Sequence, residues 1–589
     1  MKSFFETIFK AVFSACIVNF IILILISSVL VSFLGNDGDS KKVELKKGST
    51  LYVDTSMLLS DIALGARNDI VVAGNAKMSL LELYKRITSA AYDPNIDAIF
   101  ICNAKARFGF NLSQALAIKK ALTTFKESGK KVYSYLGEPT ISQNEYFLAT
   151  IADKLYLNPY SILDFSGISF QGVFFGNAFD KYGIEASVVK CGVNKSFGDM
   201  FTSDKFSPET KADLEEIARG LEDYTSGSSG NSRGIEKAKL EEIRETTPLV
   251  NAKEAKGLNL VDEIAYKDEV YKILGKGDDK FNLINVKSYV PNYRINKEKA
   301  KSNIAVVYMT GDIVEFGTGD NVISAQRYCK IIGKIREDNS VKSVVFVINS
   351  GGGSAYASEQ IRRAVEVLGK EKKCIAYVTS MCASGAYWIA SSCEKIYTQE
   401  TSIVGSIGVF SLLFDIEKIS GNFGITYDVA KSSKYADLFT STRKPSEAEI
   451  AIMQSQVDDI YDNFVNLVAT SRNLDADFVR KDIATGSVWT SQKAKALGLI
   501  DSDDNNLPDT LQSIAKELKL EGTNYGILTY PTPKTYEEFF FELITGESST
   551  DIKSFLPKII KDNAADKIIS TFDDSSNLYL RTPFILKEF

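Results

Sequence analysis

The chain repeats itself at a spacing of roughly 240 residues, and that duplication constrains its fold more than any local pattern does. The run 146–157, YFLATIADKLYL, reappears as 387–398, YWIASSCEKIYT. Ala255-Lys256-Gly257-Leu258 followed by Leu260-Val261-Asp262 reappears as Ala494-Lys495-Ala496-Leu497 followed by Leu499-Ile500-Asp501. Asp199-Met200-Phe201-Thr202-Ser203 matches Asp437-Leu438-Phe439-Thr440-Ser441. Within each copy, apolar β-rich runs alternate with charge-bearing helical segments. Residues 98–102 (AIFIC) precede a helical 112–126, and 304–309 (IAVVYM) precede a helical 325–337. That alternation predicts βαβ units around a largely parallel sheet, so the fold class is α/β with two repeats in tandem.

Ahead of the repeats, residues 11–35 carry no charge and are rich in Ile, Leu, Val and Phe. An α-helix needs about 20 such residues to cross a bilayer, so this stretch is expected to be a retained transmembrane anchor. It exceeds a signal-peptide core, and its SFLGN end is no convincing cleavage site. Lysines flank it on both sides (Lys2 and Lys10, then Lys41, Lys42, Lys46 and Lys47), so charge does not orient it. The chain accordingly divides into an N-terminus at 1–10, the anchor at 11–35, a polar linker at 36–50, an N-terminal repeat at 51–295, a C-terminal repeat at 296–520 and a tail at 521–589.

The chemistry-bearing stretch lies in the second repeat. Ser384, in Cys382-Ala383-Ser384-Gly385-Ala386, sits between a strand expected at 374–379 and a helix-compatible apolar run. A serine at such a turn has its hydroxyl lifted clear of the backbone. Upstream, Asn349-Ser350-Gly351-Gly352-Gly353-Ser354 also follows an apolar strand, and glycines there let amide groups face a developing negative charge. Ser384 therefore reads as a nucleophile and the glycine turn as half of an oxyanion hole. The first repeat offers neither: Gln143 and Asn144 fall opposite Ser384 and Gly385, and Asn103-Ala104-Lys105-Ala106-Arg107 replaces the glycines.

Composition then narrows the base. The chain has no histidine, which excludes a Ser-His-Asp triad and histidine metal sites, and leaves lysine or a carboxylate to activate the serine. No metal or cofactor is expected. Lys+Arg of 69 against Asp+Glu of 75 gives a net charge of −6 and no reason to expect nucleic-acid binding. The seven cysteines form no CxxC pair, and Cys382, two residues from Ser384, reads as packing. The acidic run Asp501-Ser502-Asp503-Asp504 reads as a solvated loop.

The ordered set NSGGGS, CASGAYWIA and Val404-Gly405-Ser406-Ile407-Gly408-Val409 resembles the long, duplicated form of the signal peptide peptidase A (protease IV) family. The first-repeat run Lys195-Ser196-Phe197-Gly198-Asp199-Met200-Phe201, ending in Phe206-Ser207-Pro208, resembles that family's lysine motif. Gly351 replaces the family's proline in the glycine turn. The resemblance implies two Clp/crotonase-like βαβ-superhelix repeats, Lys195 as general base and Ser384 as nucleophile. It also implies Ser406 hydrogen-bonding the lysine, and oxyanion donors from Gly352 or Gly353 together with Gly385. It further implies a homotetramer on the periplasmic face of a bacterial inner membrane, degrading signal peptides and other hydrophobic peptides. Two alternatives stay open: Lys434 of the second repeat as a rival base, and an inactive crotonase-fold membrane scaffold. Acyl-CoA chemistry on the same fold is a third.

Overall fold

The computed structural model describes residues 45–57, 59–60, 78–103, 110–275, 282–289, 300–317, 319, 321–520, 525–532 and 578–581. The apolar stretch 11–35 and most of the tail lie outside the described residues. Among the described residues no helix is long and apolar enough to cross a membrane.

The duplication is visible as two parallel sheets of matching order. In the first half the strands run Glu263–Ile264, Lys154–Leu157, Lys131–Leu136, Ile96–Asn103, Ser49–Asp54 and Leu283–Asn285, each parallel to its neighbour. In the second half Lys395–Thr398, Lys373–Ala383, Val341–Ser350, Ser302–Thr310 and Tyr525–Tyr530 follow the same order. Strands buried on both faces need apolar side chains throughout, and 344–348 (VVFVI) is almost wholly excluded from solvent. Tyr525–Tyr530, which the sequence assigns to the tail, occupies the edge that Leu283–Asn285 fills in the first half.

The helices follow the expected alternation. Leu112–Glu127 and Ala325–Glu337 lie where the sequence places them. Two 26-residue helices, Pro208–Arg233 and Glu447–Arg472, are also counterparts. The hydroxyl of Tyr146 donates to the Leu260 carbonyl and that of Tyr387 to the Leu499 carbonyl, fixing the register of the two copies.

The halves part at two places. The strand expected at 374–379 runs on to Ala383, because its far end pairs with Ile403–Gly405 and carries the backbone straight to Ser384. The glycine turn is itself a short strand, Gly352–Ser354, flanked by Asp312–Val314 and Leu578–Arg581. In this second sheet the chain crosses between halves. Glu185–Cys191, from the first half, pairs antiparallel with Val409–Asp415, from the second, over seven residue pairs. The helix Pro208–Arg233 packs the same way, placing Leu214, Ile217 and Leu221 in one core with Ile403 and Val488.

In the acidic run Asp501-Ser502-Asp503-Asp504, Asp504 is exposed as a loop residue, but Asp501 is tied into the fold. Asp501 accepts the Ile396 amide at 2.9 Å, Arg472 at 2.9 Å and Lys395 at 3.0 Å, as Asp262 accepts the Leu155 amide and Arg233. Burial pushes the Asp501 carboxyl up, but the Ile396 amide and the Arg472 guanidinium outweigh it and hold it below the usual range. Asp501→Ala should lower stability by about 2–3 kcal/mol at neutral pH, read from denaturant unfolding. Because the folded carboxyl is depressed, the gap to wild type is full above the unfolded value near 3.8 and closes as pH falls through the folded one.

Candidate active site

Ser384 is held in a conformation that its sequence alone would avoid. Its φ of 57° and ψ of −117° lie where a non-glycine residue stores about 1–3 kcal/mol of strain. Two bonds enforce it: the Ser384 amide donates to the Gly405 carbonyl at 2.7 Å, and the Ser384 carbonyl accepts the Trp388 amide at 2.9 Å. The first bond ends the strand Lys373–Ala383 and the second opens the helix Gly385–Ala390. The side chain makes no helix-capping bond, so its hydroxyl is available elsewhere. In the first half the neighbouring serine, Ser142, keeps an extended backbone and spends its oxygen on the Glu145 amide in a capping box.

The hydroxyl of Ser384 meets Lys195, whose Nζ lies 2.5 Å from Ser384 Oγ. The same Nζ lies 3.0 Å from the Ser406 carbonyl and 3.1 Å from Ser406 Oγ. Lys195, Ser384 and Ser406 are all fully buried. The lysine's partners are two hydroxyls and one carbonyl, with no carboxylate among them. Burial drives its pKa well below 10.5. Deprotonating a lysine at pH 7 costs about 5 kcal/mol, and an unpaired buried ion costs several kcal/mol or more. Dipoles alone do not recover a full ion's hydration, so the neutral amine is favoured. A carbonyl oxygen only accepts, so the amine directs an N–H to Ser406 O and its lone pair falls toward a hydroxyl. The group so arranged can take a proton from Ser384.

The first half delivers this lysine into the second. From Glu185–Cys191 the chain turns at Gly192 (φ 99°), and the Asn194 amide donates to the Thr485 carbonyl at 2.7 Å. Asn194 Nδ2 donates to Ser487 Oγ at 2.8 Å and Asp213 at 3.0 Å. Gly486, at φ 89°, lies so close beneath that an added Cβ would fall 2.4 Å from the Lys195 amide nitrogen. At Gly408 it would fall 2.8 Å from the Cys191 carbonyl and 3.2 Å from Lys195 Cδ. Below the loop, Phe197 and Phe201 pack on Phe410 and Phe414, anchoring the turn Gly198–Phe201. Asn194, Ser487 and Gly486 went unnoticed in the sequence, where an isolated TGSV carries no signal; only their position against the lysine loop shows their part.

The remaining candidates fall around Ser384. An added Cβ at Gly385 would lie 3.4 Å from the Gly353 amide nitrogen, which puts the two glycines side by side. The Gly352 amide instead donates to Ser350 Oγ at 3.1 Å. Gly353 presses against Ile313, where a Cβ would overlap its carbonyl. Cys382 is fully buried in the core, its thiol pushed up by burial. Lys434 is solvent-exposed, its Nζ 4.7 Å from the Tyr435 ring centroid and outside the Ser384 cluster.

The model of "Peptidase family S49" matches residues 124–280 and 366–521, one match in each half. Protease 4 of Haemophilus influenzae is 29% identical over 443 residues, which cover 72% of this chain and 71% of that protein. Protease 4 of Salmonella typhi is 29% identical over 498 residues, 82% of this chain and 78% of its own. A chloroplastic serine protease of Arabidopsis thaliana is 27% identical over 472 residues, 78% of this chain and 68% of its own.

If the glycine clamp holds the lysine in place, Gly486→Ala should both strain a left-handed position and push the Lys195 backbone away. The expected outcome is a lower Tm together with Lys195 becoming open to native-state acylation, which wild type resists because the amine is fully buried. Peptide mapping by mass spectrometry after brief labelling reads this directly. An alanine variant in which Lys195 stays unlabelled would show that the clamp is dispensable.

Proposed function

This chain belongs to peptidase family S49 and is a serine protease, and on that premise we propose that it works through a Ser384–Lys195 pair assembled across the two repeats. The 2.5 Å approach of Lys195 Nζ to Ser384 Oγ in a carboxylate-free, solvent-excluded pocket carries this reading. Lys195 takes the Ser384 proton as Oγ attacks the scissile carbonyl, and later returns it to the leaving amine. The developing oxyanion is assigned to the amides of Gly353 and Gly385, since that of Gly352 is engaged by Ser350. One such donor typically contributes ~10²- to 10³-fold in rate. Collapse leaves an acyl ester on Ser384, which water then hydrolyses. Ser406 orients the amine through its carbonyl and hydroxyl.

We further assign the substrates as hydrophobic peptides, signal peptides left in the membrane among them, and the setting as the periplasmic face of a bacterial inner membrane. The uncharged stretch 11–35 supports the anchoring. The two matching sheets accord with the Clp/crotonase-like repeats that the family resemblance implies. A homotetramer is supported by a gap in the internal symmetry. The second-half counterpart of Glu185–Cys191 is the segment around 425–431, where Ile425 is 52%, Tyr427 43% and Val429 47% exposed. The first-half strand covers its apolar residues on the other repeat; these await a second copy.

Hydrolysis of a signal-peptide-like substrate by the detergent-solubilised chain tests the reading. Ser384→Ala and Lys195→Ala should each lower kcat/KM by ~10³-fold or more, with Lys434→Ala near wild type. The wild-type profile should rise with pH along one limb whose midpoint lies well below 10.5, because only the neutral amine accepts the proton. Lys195→Met should be inactive yet at least as stable at pH 7. A lysine whose folded pKa is depressed binds fewer protons folded than unfolded, so it costs stability at every pH below the unfolded value of 10.5. Activity that survives Ser384→Ala, or wild type no better than that variant on any peptide, would overturn the assignment.

A further inference from the structure

A second buried lysine lies in the first half, and the duplication supplies an internal comparison for it. Helices Leu112–Glu127 and Ala355–Gly369 are counterparts in register: Ile118 matches Ile361, Leu122 matches Val365 and Phe125 matches Leu368, all buried. This pairs Lys119 with Arg362. Arg362 is fully compensated, at 2.6 Å from Glu359 and 3.0 Å from Glu366, with Ser392 Oγ at 3.3 Å. Trp388 Nε1 adds a bond to Glu359 at 2.8 Å.

Every anionic part of that arrangement is missing in the first half. Leu116 stands for Glu359, Thr123 for Glu366, Ile151 for Ser392 and Phe147 for Trp388. Lys119, only 6% exposed, is left with two hydroxyls, Thr150 Oγ1 at 2.9 Å and Ser228 Oγ at 3.1 Å, and the face of Phe147 at 4.3 Å. The helix over it has lost bulk as well. Ser228 of Pro208–Arg233 stands where Glu447–Arg472 has Leu467. The result is an open cavity of about 510 Å³, lined by Leu116, Lys119, Thr123, Ile151, Tyr224 and Ser228 among others. The two positions that provide carboxylates in the second half thus border an empty space in the first. That volume suits a small organic ligand.

We propose that this cavity is a binding site for a carboxylate carried on an apolar body, the ligand's anion taking the place that Glu359 and Glu366 hold in the other repeat. The apolar body would lie against Leu116, Ile151 and the Tyr224 ring, with Ser228 and Thr123 as hydroxyl partners. Two sources share this chemistry, a free short-chain carboxylic acid and the C-terminus of a hydrophobic peptide. The other charged groups facing the lysine are already occupied. Lys120 pairs with Glu400 at 2.9 Å, Asp223 with Lys237 at 2.8 Å, and burial keeps the Tyr224 hydroxyl protonated. Burial also lowers the Lys119 pKa to about 7, and an anion beside it would raise it again. Binding then takes up a proton at alkaline pH, so affinity should fall by ~tenfold per unit above about pH 8.

Calorimetry on the solubilised full chain with hexanoate, acetyl-leucine and a short apolar peptide, each as free acid and as amide, tests the site. The expected result is saturable binding of acids, at least ~tenfold weaker binding of the matching amides, and protection of Lys119 from acylation when an acid is bound. Hexanoate and acetyl-leucine binding as well as the peptide would identify a free acid as sufficient; the peptide acid alone would identify a C-terminus. Lys119→Met should abolish binding. Thr123→Glu, which restores the anion of the other repeat, should abolish it while raising Tm, so that loss of binding is not loss of fold. Ser384→Ala should bind normally, which separates this site from the catalytic reading. Equal binding of acids and amides, unaltered binding in Lys119→Met, or no saturable heat with any acid would overturn the proposal.

Discussion

The antiparallel pairing of Glu185–Cys191 with Val409–Asp415 is the contact on which the site depends. Lys195 and Ser384 are 189 residues apart in sequence. Bringing such distant points together costs about 5 kcal/mol of chain entropy on a simple loop estimate. One hydrogen bond contributes about 1 kcal/mol net and could not hold them. The seam supplies the difference: seven paired residues, the phenylalanine cluster at Phe197, Phe201, Phe410 and Phe414, and the shared core around Leu214 and Ile403. The lysine arrives as the first turn after a strand that the other repeat already holds.

In the proposed pair, that arrangement is also how a chain without histidine would activate a serine. A lysine is a poor base in water because it is almost fully protonated at neutral pH. Exclusion of water and of carboxylates removes the stabilisation of the charged form. The glycines at 408 and 486 let the backbones approach closely enough to seal the amine in. Three dipolar neighbours then fix its direction without fixing its charge.

Much of this was legible in the sequence. The duplication, the parallel α/β sheets, the helix Ala325–Glu337 and the difference between Gln143 and Ser384 all follow from residue patterns, because periodicity and burial act locally along the chain. Other features were not. The Lys373–Ala383 strand extends past its apolar core because a partner, Ile403–Gly405, meets it there, and no local propensity encodes that partner. Asp501 reads as a loop residue until Arg472 and the Ile396 amide are seen around it. Lys195 is the sharpest case. Its neighbours in sequence would leave it on the surface, and the side-chain partners that bury its amine lie 189 and 211 positions away. Asn194 and Gly486 escaped notice for the same reason.

The two repeats show what a fold does with a cation once its chemistry has been divided. In the second half Arg362 and Arg472 are each paired with carboxylates. The first half supplies the buried Lys195 amine to its neighbour, and at its own position opposite Ser384 it carries a polar network of Gln143, Glu222, Arg244 and Ser226. Its long helix carries Thr and Ser where the other repeat has Phe, Val and Leu, and its Lys119 has no counterpart of Glu359 or Glu366 beside it. A cation that is stripped of its anions and yet kept buried carries a standing electrostatic cost unless something negative returns to it. In Lys195 that cost favours the neutral amine, the form that can accept a proton. Lys119 has two hydroxyl partners and a cavity beside it, and the same physics there favours a bound anion.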